Sequence, residues 1–171
     1  MFSARRGETD RIDHAVIRPS ASLTGTMTTG TERDDESGDD AAYDYEVSID
    51  VRLRDIDFMG HVNNAVYATY LEEAREAYFE EVVGVSLPDI GTVLASLEIE
   101  YARAIEADES VTVAIGVPEL GTSSIPMRYE VRADGERAAT AQTVQVLLDR
   151  ETEQSRPIPD DWRRRIGSAR R

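Results

Sequence analysis

Cysteine is absent from this 171-residue chain. Its absence excludes disulfide bonds, cysteine-ligated zinc and a cysteine nucleophile. No apolar run approaches the ~20 residues that a membrane-spanning helix needs. Arg5 and Arg6 near the N-terminus are not followed by the apolar core of a secretory signal. We therefore expect a cytoplasmic protein that has no membrane partner.

Lysine is also absent, so all 19 basic residues are arginines, and they face 34 Asp and Glu residues. The formal net charge of -15 gives a surface that repels the phosphates of nucleic acid, so nucleic acid is not an expected partner. An acid-rich, lysine-free composition is typical of proteins from extreme halophiles such as haloarchaea. At molar salt the Debye length falls to ~3 Å, so this density of charge is tolerated. The acidity therefore indicates adaptation to salt rather than a binding site.

Residues 1–43 lack apolar periodicity and are rich in Ser, Thr, Gly, Asp and Arg, which predicts a disordered N-terminal arm. Within this arm the charge changes sign. Residues 1–26 carry four Arg and three acidic residues, a net charge of +1, whereas the chain from Met27 onward carries 15 Arg and 31 acidic residues, a net charge of -16. The change favours Met27 as the true start, so a chain beginning there is expected to match the full chain in activity and stability.

Regular hydrophobic patterns begin at Tyr45. Alternating apolar residues predict a strand from Tyr45 to about Leu53. Helical spacing predicts one long helix over residues 64–83, with Gly84 as its C-cap. Alternation then predicts four more strands, the last two joined by the Asp-Gly turn of the segment ADGER, at residues 92–101, 110–117, 123–132 and 136–148.

This order of elements predicts a two-layer α+β domain over residues 44–150, followed by a tail, residues 151–171, with one short helix. The helix must bury its apolar stripe against the sheet, but one helix cannot cover both faces of five strands. A second subunit is expected to cover the rest. We therefore predict a homo-oligomer, either a homodimer or a homotetramer.

Two carboxylates, Asp55 and Asp57, follow the first predicted strand where its inward-facing register continues. An Asp just before a helix usually caps it or a turn. Helical periodicity starts about seven residues after Asp57, however, which is too far for direct capping of the first turn. Asp57 therefore either accepts hydrogen bonds within a turn or faces a substrate. Asp55 is expected to accept hydrogen bonds from the loop.

The start of the predicted helix supplies free backbone N–H donors. Backbone N–H groups around residues 63–66 have no intrahelical acceptor and carry the equivalent of about +0.5 charge, which suits a developing oxyanion or another anion. The side chain of Asn63 or Asn64 could instead cap these donors. His61 is the only histidine of the predicted domain. Since Asp57 and His61 alone make a poor metal site, neither a metal nor another cofactor is expected.

The segment DIDFMGHVNNAVYATYLEEAR resembles the motif of hot dog-fold acyl-CoA thioesterases of the 4-hydroxybenzoyl-CoA thioesterase type. The strand order through Leu148 and the tail segment RPIPDDWRRRI agree with this family. The resemblance implies an antiparallel sheet of five or six strands wrapped around one long helix. It also implies dimers with active sites at the subunit interface, where an acyl-CoA thioester is hydrolysed to free acid and coenzyme A.

Carried over onto this sequence, the resemblance makes Asp57 the catalytic carboxylate, acting as nucleophile or general base. The backbone N–H of Asn64 becomes the donor that polarises the thioester carbonyl, so the helix start serves as the oxyanion hole. His61 stands at a loop position that is catalytic or orienting in some members of the family. The expected substrate contacts are Phe58, Met59 and Tyr67 around the acyl group, and Arg103, Ser123 and Ser124 against coenzyme A.

Two other functions remain open. A hot dog-fold hydratase or dehydratase acts on the same acyl thioesters, but that resemblance calls for an Asp–His pair with Asn-Pro between them, and the loop DFMGHVNN contains no proline. A non-catalytic acyl-thioester-binding module would bind the ligand without turnover. The sequence names neither the acyl group nor the carrier, coenzyme A or acyl carrier protein.

Overall fold

The computed structural model describes residues 43–170. Apart from Tyr43, the predicted N-terminal arm and the expected start at Met27 lie outside the described residues. Five strands form one antiparallel sheet in the order β1-β3-β4-β5-β2. Their bounds are Tyr45–Ile49 (β1), Thr92–Tyr101 (β2), Val111–Gly116 (β3), Ser124–Ala133 (β4) and Glu136–Leu147 (β5). The predicted α+β class is confirmed.

One long helix, α1 (Val66–Tyr78), packs its apolar stripe on this sheet and continues as a π-helical turn, Phe79–Val83. Its buried side chains recur at helical spacing because only one face meets the sheet, and they are Tyr67, Tyr70, Leu71, Ala74, Arg75 and Tyr78. The helix ends at Gly84, whose φ of +74° is the left-handed conformation that glycine adopts without steric cost. The predicted C-cap is confirmed.

The first strand is shorter than predicted. β1 pairs with β3 from Tyr45 opposite Ile115 to Ile49 opposite Val111, where β3 begins, so the residues after Ile49 have no strand to pair with. The chain instead turns through a short 3-10 helix, Leu53–Asp55. The side chain of Leu53 is consequently 92% exposed rather than inward-facing.

The last strand in the sheet order, β2, lies at an edge. Among the described residues it pairs only with β5. Three of its residues stand opposite buried residues of β5 and so share the face that α1 covers elsewhere, yet they remain exposed: Leu94 (44%), Leu97 (37%) and Tyr101 (48%). The helix therefore covers the centre of the sheet but leaves an apolar stripe on this strand.

A second helix, α2 (Asp160–Ala169), closes the C-terminal end. Its buried Trp162 meets Phe79 of the π-helical turn edge to face, with ring centroids 6.1 Å apart. The predicted tail helix is thus present and is packed onto the end of α1. None of the described helices is long and apolar enough to cross a membrane.

Candidate active site

A cavity of about 290 Å³ lies where the start of α1 approaches the end of β2. Its walls come from the loop before α1, from the first turn of that helix and from the residues that follow β2. Five of the side chains singled out in the sequence line it: Asp57, His61, Asn64, Tyr67 and Arg103. The cavity therefore brings the candidate carboxylate and the helix start together.

Asp57 opens a tight turn that ends at Gly60. The Gly60 N–H donates to the Asp57 carbonyl at 3.1 Å, and Gly60 has a φ of +87°, which glycine adopts far more readily than other residues. The Asp57 carboxylate oxygen Oδ1 accepts hydrogen bonds from the N–H groups of Met59 (2.7 Å) and His61 (3.3 Å). Within residues 43–170 no donor contacts Oδ2. One oxygen thus holds the turn while the other stays free for a substrate or a water molecule.

Asn63, rather than Asn64, holds the turn that leads into α1. The Asn63 side-chain oxygen accepts a hydrogen bond from the Ala65 N–H at 2.9 Å, and its carbonyl accepts one from the Val66 N–H at 2.9 Å. The Asn64 N–H has no acceptor in the described part of the chain. It is therefore available to an external acceptor, at the end of the helix where the backbone dipoles carry positive charge.

Tyr101 at the end of β2 supports this helix start from the sheet side. The Tyr101 hydroxyl donates to the Asn64 carbonyl at 3.0 Å, and its ring meets Tyr67 edge to face with centroids 5.0 Å apart. Burial raises the pKa of Tyr67 above its ordinary value. Tyr101 is not among the predicted site residues, because its alternation in β2 is equally typical of a core residue and no sequence signal links it to Asn64.

Asp55 is buried beside the site and has a structural role. Its carboxylate accepts hydrogen bonds from the Tyr70 hydroxyl (3.1 Å) and the Arg52 N–H (2.9 Å), and its carbonyl accepts one from the Asn63 N–H (2.8 Å). Burial and the bond to Asp55 raise the pKa of Tyr70 well above its ordinary value. The expectation that Asp55 accepts loop hydrogen bonds is confirmed, and these bonds fix the loop carrying Asp57 to α1.

Arg103 lines the cavity, but its guanidinium is engaged elsewhere. It forms a two-pronged ion pair with Glu109 at 2.7 and 3.0 Å and donates to the Ala133 carbonyl at 2.6 Å. The hydrogen bonds from Arg103 lower the pKa of Glu109. A coenzyme A phosphate at this position would have to share these donors, so the predicted contact stays a prediction.

His61 also lines the cavity and is half-buried. Its backbone bridges to Glu106, which ties the loop before α1 to the segment after β2. Among residues 43–170 no three His, Cys, Asp or Glu side chains come together as a group that could hold a metal ion. The catalytic or orienting role expected for His61 stays a prediction.

Four of the predicted substrate contacts lie outside this cavity within one chain. Phe58 and Met59 project from the turn and are 96% and 64% exposed. Ser123 and Ser124 lie at the start of β4, and Ser124 stands opposite Val146, which in turn faces Val93 near the start of β2. The cavity is at the other end of β2, about 25 Å away along extended strand. The substrate contacts predicted for these four residues therefore stay predictions.

Comparison with known proteins decides the family. Residues 51–166 match the thioesterase-like superfamily. The chain belongs to the thioesterase-like superfamily. The five-stranded antiparallel sheet around one long helix is the hot dog fold of the superfamily's thioesterases, so the predicted fold is confirmed.

Relatives within the superfamily are named as thioesterases. A thioesterase from Thermus thermophilus, solved with coenzyme A and Zn, is 38% identical with a TM-score of 0.69, covering 75% of this chain and 95% of that one. A 1,4-dihydroxy-2-naphthoyl-CoA hydrolase from Synechococcus elongatus is 28% identical over 129 residues, 70% of this chain and 94% of its own length. A DHNA-CoA thioesterase structure from Staphylococcus aureus is 25% identical with a TM-score of 0.64, covering 72% of this chain and 87% of that one.

Proposed function

We propose that this protein hydrolyses acyl-CoA thioesters to the free acid and coenzyme A, with Asp57 as the catalytic carboxylate. Thioester hydrolysis is supported by membership in the thioesterase-like superfamily and by relatives that bear thioesterase names. One observation carries the assignment of residues. Within residues 43–170, one carboxylate oxygen of Asp57 and the N–H of Asn64 have no partner, and both residues line the same cavity.

In the proposed mechanism Asn64 acts on the carbonyl oxygen of the thioester, and Asp57 acts on its carbonyl carbon or on the attacking water. The Asn64 N–H donates a hydrogen bond to the thioester carbonyl oxygen, where negative charge develops in the transition state. The Asp57 carboxylate either attacks the carbonyl carbon to form a mixed anhydride, which water then hydrolyses, or removes a proton from an attacking water molecule. In both routes the C–S bond breaks, the coenzyme A thiolate leaves and takes up a proton, and one water molecule is consumed for each acid released.

Analysis of the reaction products separates this activity from its alternatives. Mass spectrometry after incubation with saturated and α,β-unsaturated acyl-CoAs should find free coenzyme A and free acid in equal amounts. A hydratase would instead leave the thioester intact and add one water molecule to the unsaturated acyl chain. An acyl-thioester-binding module would return the substrate unchanged.

We further propose that the working enzyme is a homodimer, or a homotetramer built from such dimers, in which the β2 edges of two copies lie side by side. The edge of β2 that no other described strand pairs with, and its exposed stripe of Leu94, Leu97 and Tyr101, support this arrangement, since exposed edges and apolar patches favour association. Antiparallel pairing about a two-fold axis would bring the start of β2 in one copy to the end of β2 in the other. The Asp57 cavity of each copy would then lie at the interface, in contact with the other copy.

Leu97→Glu is expected to convert the oligomer into an inactive monomer, because it places a charge in the middle of the apolar stripe. Light scattering measures the mass of the particle, and a thiol-release assay measures its activity. Gln142→Glu is the matched control, since Gln142 is exposed and lies on the other face of the sheet. A wild-type protein that is monomeric and fully active would contradict the dimer.

The composition supports a halophilic enzyme of haloarchaeal type, and we expect stability and substrate affinity to rise together with salt. From Met27 onward the chain has 31 acidic residues and 15 basic ones. Repulsion between the excess negative charges destabilises the folded state. Raising the salt from about 0.01 M to 1 M shortens the Debye length from ~30 Å to ~3 Å. Coenzyme A is itself polyanionic and is repelled by the same surface. Melting temperatures and KM values measured across this range test the expectation, and a flat or falling melting temperature would contradict it.

A further inference from the structure

The candidate oxyanion donor, the N–H of Asn64, lies just before the regular part of α1, which begins at Val66. Peptide planes are rigid, so only the two rotatable bonds at the Asn64 Cα separate this N–H from the Asn64 carbonyl. A hydrogen bond that holds the carbonyl therefore restricts the direction in which the N–H points. This direction matters, because a hydrogen bond weakens steeply when donor and acceptor are misaligned.

Most of the hydrogen bonds around Asn64 come from residues close to it in sequence. The Ala65 N–H donates to the Asn63 side-chain oxygen at 2.9 Å, and the Val66 N–H donates to the Asn63 carbonyl at 2.9 Å. The Asn63 N–H in turn donates to the Asp55 carbonyl at 2.8 Å. These bonds define the shape of the turn, but they lie within the loop and the helix start, so they do not attach the turn to the sheet.

Tyr101 supplies that attachment from the end of β2. Its hydroxyl donates to the Asn64 carbonyl at 3.0 Å, across 37 residues of sequence. The phenol has a defined place, because its backbone pairs with Ala139 of β5 and its ring meets the buried ring of Tyr67 edge to face, with centroids 5.0 Å apart. Tyr101 thus connects the sheet to the residue that carries the free N–H.

The exposure of this hydrogen bond separates a role in catalysis from a role in stability. Asn64 and Tyr101 are both exposed, so water can replace the hydroxyl as a donor to the Asn64 carbonyl. Unlike the loss of a buried hydrogen bond, the loss of this one leaves no polar group without a partner. A water molecule is not fixed to the sheet, however, and does not hold the Asn64 carbonyl in one place. The hydroxyl is therefore expected to affect the geometry of the site more than the free energy of unfolding.

We propose that Tyr101 is a positioning residue of the oxyanion hole, whose hydroxyl holds Asn64 so that its N–H points at the thioester carbonyl. The inference rests on the proposed thioesterase function. Misplacement of a reacting group by about 1 Å can lower a rate by about 10²-fold, and removal of an oxyanion-hole donor lowers kcat by about 10²- to 10³-fold. Tyr101→Phe keeps the donor and only loosens it, so we expect a smaller decrease in kcat, about tenfold.

The first test measures kcat and KM for Tyr101→Phe with the acyl-CoA that the wild type hydrolyses fastest. The ring is kept, so its contact with Tyr67 and the apolar stripe on β2 should be kept as well, and light scattering should give the wild-type mass. We expect kcat to fall about tenfold, while KM and the melting temperature change little. Tyr45→Phe is the matched control, because it removes a hydroxyl that bonds to Glu81 at the other end of the helix, and it should leave kcat unaltered. An unchanged kcat in Tyr101→Phe, or a lower kcat that comes with a lower melting temperature, would overturn the inference.

A binding measurement decides the inference even if no acyl-CoA releases thiol, an outcome that would overturn the proposed function alone. Two inert analogues of benzoyl-CoA are titrated into each protein: a ketone with CH2 in place of the sulfur, and the same molecule with CH2 also in place of the carbonyl. The wild type and Tyr45→Phe should prefer the ketone, because only the ketone accepts a hydrogen bond from the Asn64 N–H. Tyr101→Phe should lower that preference severalfold without weakening the binding of the analogue that lacks the carbonyl. No preference in the wild type, or the same preference in all three proteins, would overturn the inference.

Discussion

Replacing Asp57 with Asn is expected to lower kcat for acyl-CoA hydrolysis by about 10²- to 10⁴-fold, the range typical of a general acid–base group. The amide oxygen can still accept the hydrogen bonds from the Met59 and His61 N–H groups that hold the turn, so the melting temperature should change little. The substitution removes the negatively charged carboxylate, which either attacks the thioester or removes a proton from water. Thiol release from acyl-CoA measures the effect.

Asp108→Asn is a suitable control for this substitution. Asp108 is an exposed carboxylate in the segment between β2 and β3 and lies outside the Asp57 cavity. Its removal changes the net charge by the same amount and should leave turnover unaltered. Turnover close to wild type in a folded Asp57→Asn protein would contradict the assignment of Asp57.

Replacing Asp55 with Ala is expected to lower the free energy of unfolding by about 2–4 kcal/mol, because it leaves buried polar groups without acceptors. The Tyr70 hydroxyl and the Arg52 N–H both lose their acceptor when this carboxylate is removed. Denaturant unfolding at constant salt gives the value. In the double variant Asp55→Ala/Tyr70→Phe the loss should be smaller than the sum of the two single losses, since the phenol no longer needs a partner. Strict additivity would show that the Tyr70–Asp55 bond contributes nothing.

The helix and the later strands could be predicted because their patterns are periodic over many residues. The spacing from Tyr67 to Tyr78 matches the buried face of α1, and the alternation in β2 matches its pairing with β5 apart from a bulge at Ala95. The predicted first strand is too long because alternation continues past Ile49 in the sequence. Its length is set by its partner, since β3 begins only at Val111, and that limit is not encoded locally.

The site was predictable where its chemistry is local and unpredictable where it depends on contacts across the fold. Asp57 and the helix start are close in sequence, so the free N–H of Asn64 follows from helix geometry alone. The support from Tyr101 and the engagement of Arg103 by Glu109 depend on contacts that spacing does not reveal.

The roles proposed for Asp57 and Asn64 depend on the cleavage of acyl-CoA thioesters by this protein. The most direct test is the rate of thiol release by the wild-type protein, in molar salt, across short-chain, long-chain and aromatic acyl-CoAs. We expect saturable turnover with at least one of these classes, with free acid and coenzyme A formed in equal amounts. Binding of acyl-CoA without release of thiol in every class would contradict it.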